Sequence, residues 1–74
     1  MTEHKTMPNQ FGNTKRHIKR AQLLCDHIVE HLDPVHDGYV EEHPEFGEQV
    51  FVAARFAREL HVYLIKVYDE FVAL

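Results

Sequence analysis

At 74 residues, 45% of them apolar and 27% charged, the chain has material for one domain with a thin core, and three Gly and three Pro are too few for a disordered sequence. Its one cysteine, Cys25, excludes an internal disulfide, and Arg55, Arg58, Glu59, His61, Lys66, Asp69 and Glu70 interrupt the richest apolar segment too often for a bilayer span of about 20 residues. The net charge of −4 hides a polarity along the chain: residues 1–25 hold five cations against one acid, whereas residues 26–48 hold eight acids and no Lys or Arg.

Residues 1–12 contain Pro8, Asn9 and Gly12 with little periodicity and are expected to form a flexible arm anchored, if anywhere, at Phe11. Asn13 or Thr14 is the expected N-cap of a first helix over residues 14–33. Along it Ile18, Ala21, Cys25, Ile28, Leu32 and Val35 recur at three-four spacing, with Leu24 and Val29 widening the stripe. Pro34 disfavours a helical conformation in the residue before it and sets the expected end. A connector of about a dozen residues follows, with a turn at Asp37-Gly38, which is long for two tightly joined antiparallel helices.

The clearest periodicity lies in the second helix, expected over residues 45–73. Phe46, Val50, Ala53, Ala57, Leu60, Leu64, Val67, Phe71 and Leu74 alternate at four and three residues, which a helix satisfies and a strand does not. Phe51, Phe56, Tyr63, Ile65 and Val72 add apolar surface outside that stripe, more than one neighbouring helix can cover. The expected fold is therefore all-α, a two-helix antiparallel hairpin that dimerises into a four-helix bundle. Val50, Phe51, Ala53, Ala54, Ala57, Leu60 and Leu64 are the expected dimer interface, the alanines forming a flat patch where another backbone can come close.

Chemistry-bearing groups are few. The acids Asp37, Glu41, Glu42, Glu45 and Glu48, in or beside the connector, are the expected partner-binding surface, imitating a phosphate backbone on a small regulator or inhibitor that binds another protein. An alternative function is sequestration of a small anion such as a nucleotide by Lys15, Arg16, Lys19 and Arg20. The opposing account of that cluster is internal, since a hairpin sets it beside Asp69 and Glu70. Nucleic acid is disfavoured as a partner, because no aromatic residues interleave the cluster to stack bases. Seven histidines include His27 and His31, one turn apart on one helix face, a second alternative being that they hold a metal ion. Otherwise no cofactor is called for, and no membrane is expected as a partner.

Arg55 and His61, separated by five residues, resemble the spacing in the small helical RNases called HEPN domains, in which paired Arg and His from two subunits act at an RNA phosphate. That resemblance spans two residues, and Phe56 stands where those domains usually carry a polar residue. It implies that Arg55 positions phosphate and His61 exchanges protons. No other catalytic constellation is present, and the chain is expected to be non-enzymatic. The lone buried-type cysteine and the absence of a charged-then-apolar leader make a reducing cytoplasm the expected compartment.

Overall fold

A computed structural model describes the backbone of residues 2–74 and the side chains of residues 11–74. Two helices, α1 (Thr2–Tyr39) and α2 (Pro44–Val72), pack against each other as an antiparallel hairpin of 61 × 20 × 13 Å. No helix among the described residues is long and apolar enough to cross a membrane.

α1 is longer than the sequence suggests at both ends. Its backbone is helical from Thr2, so Asn13 and Thr14 are interior residues rather than an N-cap, and residues 2–12 of the expected arm are part of the helix. The side chains of residues 1–10, and all of residue 1, lie outside the described residues. At the other end α1 runs through Pro34 and Gly38 to Tyr39. A proline inside a helix removes one backbone bond and crowds the preceding turn, at a cost of about 3 kcal/mol. Tertiary contacts oppose that cost here. The Tyr39 ring meets Phe46 edge-on at 5.5 Å, and the His36 ring lies 5.9 Å from Phe51.

The connector shrinks accordingly to residues 40–43, a common length between antiparallel helices. His36 and Tyr39 carbonyls accept from the Val40 and His43 amides at 2.9 and 2.7 Å. Pro44 opens α2, where its missing N–H is no loss, with Glu45 in the first turn at the positive end of the helix dipole. The second residue of interest is Gly47. A Cβ built on it would stand 2.8 Å from Val40 Cα, so the turn folds tightly onto α2 only because this position has no side chain.

The seam between the helices is rotated by about 50°, half a residue step, from the expected stripe: Val50, Ala57, Leu64 and Phe71 stay in it, and the C-terminal neighbours of Phe46, Ala53, Leu60 and Val67 replace them. Gly47, Val50, Ala54 and Ala57 are buried, and His61, Leu64, Tyr68 and Phe71 continue the same three-four spacing half-buried. Phe46, Ala53 and Leu60, expected on the stripe, are exposed instead. Small residues in their place let α2 lie close to α1, whose Cys25 is only 3% exposed and is flanked in the seam by half-buried Ile18, Gln22, Val29 and Leu32. Ile28, also expected in the seam, is 44% exposed. Gln22 Nε2 donates to the Leu64 carbonyl across the seam at 3.2 Å, and Phe11 stacks on Phe71 at 4.8 Å near the open end.

Candidate functional site

Two helices leave two long flanks, and side chains at three and four residue spacing sort between them. On one flank a groove of about 440 Å³ is lined by Cys25, Asp26, Val29, Glu30, Arg58 and His61, among others. Arg58 reaches Asp33 at 3.2 Å, and His61 Nε2 lies 3.9 Å from Asp26, an ion pair when the imidazole is protonated. Both pairs are partly exposed, so each holds the helices together weakly.

The other flank is different in kind. Stepping round each helix by 100° per residue places Leu24, Ile28 and Val35 of α1 beside Ala53, Phe56, Leu60, Tyr63 and Val67 of α2. No Lys, Arg, Asp or Glu points from the middle of this flank; Gln49 and His31 are its polar margins. Phe56 and Tyr63 are 64% and 62% exposed. The chain has an accessible surface of 6098 Å², whereas a compact monomer of 8.7 kDa would expose about 4,700 Å².

The expected dimer-interface residues divide between seam and surface. Val50, Ala54 and Ala57 are covered by α1 of the same chain, and Leu64 is half-covered. Ala53 and Leu60 are exposed on the uncharged flank, and Phe51 is exposed on the grooved one beside His36. The flat alanine patch is therefore taken up largely within the hairpin, because α1 occupies the close-approach side of α2.

The charges collect at the two ends. Asp37, Glu41, Glu42, Glu45 and Glu48 surround the turn, all exposed, and Asp37 Oδ1 lies 3.1 Å from His36 Nδ1. Among the described residues no Lys or Arg pairs with any of the five. Lys15, Arg16, Lys19 and Arg20 lie near the opposite end, at the level of Asp69 and Glu70. No ion pair among the described residues joins them to Asp69 or Glu70. Lys19 Nζ instead sits 4.8 Å above the Tyr68 ring, a cation–π contact.

His27 and His31 are exposed one turn apart, and among the described residues no group of three metal-ligating side chains converges. Arg55 and His61 are turned about 120° apart on α2. Arg55 pairs outward with Glu59 at 3.4 Å while His61 faces α1, so one chain does not bring the two together. The residue sequence reasoning missed is Arg58, the actual neighbour of His61 in the groove. Its signal was the three-residue spacing to His61, which puts both on one face. No family model matches the chain, and no curated protein or solved structure matches it either.

Proposed function

We propose that the chain is a non-enzymatic interaction protein that dimerises into a four-helix bundle and offers acidic ends to a basic surface on another protein. The observation carrying this reading is the segregation of surface chemistry: one long flank without charge, one flank with internal ion pairs, and a cluster of five acids at the turn that no Lys or Arg among the described residues meets. An uncharged flank bearing half-exposed Leu24, Ile28, Leu60 and mostly exposed Phe56 and Tyr63 is a surface that water leaves favourably when a like surface covers it.

Carboxylates at the turn repeat along a rigid end rather than along a loop of a dozen residues, which suits imitation of a phosphate row by a small regulator or inhibitor. The test compares capture by the wild-type chain and by Glu41→Gln/Glu42→Gln/Glu45→Gln from native extract. Proteins retained by the wild type should be absent from the variant and released by added duplex DNA, with melting temperature unchanged. Equal capture by both chains refutes the acidic-end reading.

A further inference from the structure

We propose that the second copy lies antiparallel across the uncharged flank, with its twofold axis near residues 29 and 58, so that each basic open end sits beside the partner's acidic turn. This rests on the four-helix reading above and fixes what that reading leaves open, the orientation and register of the two hairpins.

Two independent features locate the same axis. Asp33 meets Arg58, Asp26 meets His61 and Gln22 meets Leu64, so residues near 29 on α1 lie level with residues near 58 on α2. The uncharged flank is centred within about two residues of this level, between Leu24 and Val35 on α1 and between Ala53 and Val67 on α2. The charge clusters give it again. The midpoint between Lys15–Arg20 and the turn at residues 40–43 also falls near residue 29. Turning a second hairpin end over end about this point covers the whole flank and carries each cluster of one sign onto the other. Placing it parallel would cover the same flank but set acid against acid and cation against cation at the two ends, which costs affinity.

The register is sterically sensible as well. About residue 58, Ala53 falls opposite the partner's Tyr63, pairing a small side chain with a large one, and Phe56 falls opposite the partner's Leu60. At each end of the bundle the five turn acids together with Asp69 and Glu70 outnumber the four cations Lys15, Arg16, Lys19 and Arg20, so the ends remain acidic. Lys15 and Lys19 face the grooved flank, where Lys19 lies over Tyr68, so the second copy supplies counter-charge to this end chiefly through Arg16 and Arg20, for which no acidic partner is found among the described residues.

The test measures the distance between nitroxides at Asn13→Cys in a Cys25→Ala chain. Asn13 lies 16 residues from the axis, so at 1.5 Å per residue the antiparallel dimer separates the two labels by about 48 Å. A parallel dimer holds them within one or two interaxial spacings, about 10–20 Å. Charge exchange provides a second measurement with Cys25 intact. Lys15→Glu/Arg16→Glu/Arg20→Glu and Glu41→Lys/Glu42→Lys/Glu45→Lys should each raise the homodimer dissociation constant at least about tenfold, and an equimolar mixture should restore the dimer. Circular dichroism of each variant checks that the helices persist. A short label distance in a species of dimer mass, or charge variants that each dimerise as tightly as wild type, overturns the orientation while the four-helix reading stands. Monomer mass for the wild type overturns both.

Discussion

Gly47 offers the sharpest test of how the hairpin closes. Replacing it with Ala adds one methyl group where Val40 Cα stands at 2.8 Å and Val40 Cβ and Cγ2 at 3.0 Å. The nearest of these is backbone, so relief requires the turn to move away from α2. Overpacking of this kind costs about 1–3 kcal/mol. Against it stands the helix preference of Ala over Gly, about 1 kcal/mol at an interior position. The net is a loss of about 1 kcal/mol. Gly38 supplies the control, since its added Cβ meets nothing within 4 Å and neither glycine has a positive φ. There the same substitution should gain about 0.4–1 kcal/mol by restricting the unfolded chain. For a domain of this size each kcal/mol moves the melting temperature by about 4–8 °C. Thermal unfolding at one fixed protein concentration should therefore shift down for Gly47→Ala and up for Gly38→Ala. An upward shift for both would show that the contact with Val40 does not limit the packing of the turn, and the account of Gly47 would fail.

Three further outcomes follow from the two flanks and the two ends. Leu60→Glu should reduce the species seen in sedimentation to the 8.7 kDa chain, whereas Val62→Glu, which is 66% exposed on the grooved flank, should leave the dimer intact; equal effects would remove the distinction between flanks. Arg58→Ala should destabilise by less than about 1 kcal/mol in chemical denaturation, because its pair with Asp33 is half-exposed on both sides. A larger loss would mean the groove is a structural anchor. A nucleotide panel should leave the melting temperature unchanged and labelled RNA should remain uncut; a ligand-dependent rise would favour the anion-sequestering alternative, and cleavage lost in His61→Ala would favour the HEPN-like one.

The helical class, the number of helices and the start of α2 were legible because long three-four periodicity and a Pro-Glu opening are local signals. The end of α1 was not. Pro34 and Asp37-Gly38 are strong local stop signals, and Tyr39 on Phe46 together with His36 beside Phe51 overrides them through contacts more than a dozen residues away or across the turn. Half of the seam was misread by one residue for a related reason. Large apolar residues such as Phe46 and Leu60 look like core in a pattern, but close helix packing selects Gly47 and Ala54 and leaves the large ones outside. Six residues turn Arg55 and His61 about 120° apart on any helix, and the three-residue step to Arg58 makes that residue the neighbour of His61 instead. The expectation that Asp69 and Glu70 would neutralise the basic end relied on proximity along the hairpin, and Lys19 found an aromatic ring instead.

The amide of Gln22 has a consequence beyond one bond. It is a polar tooth in an otherwise greasy interface, and it catches a single carbonyl, that of Leu64, far from the bend. Sliding either rod by a residue would break that bond, which adds to the misfit of the close-packed small residues. Alignment is thus written into the middle of the molecule as well as into its fold-back. Severed between Glu41 and Glu42, the two pieces should find each other again in the same alignment.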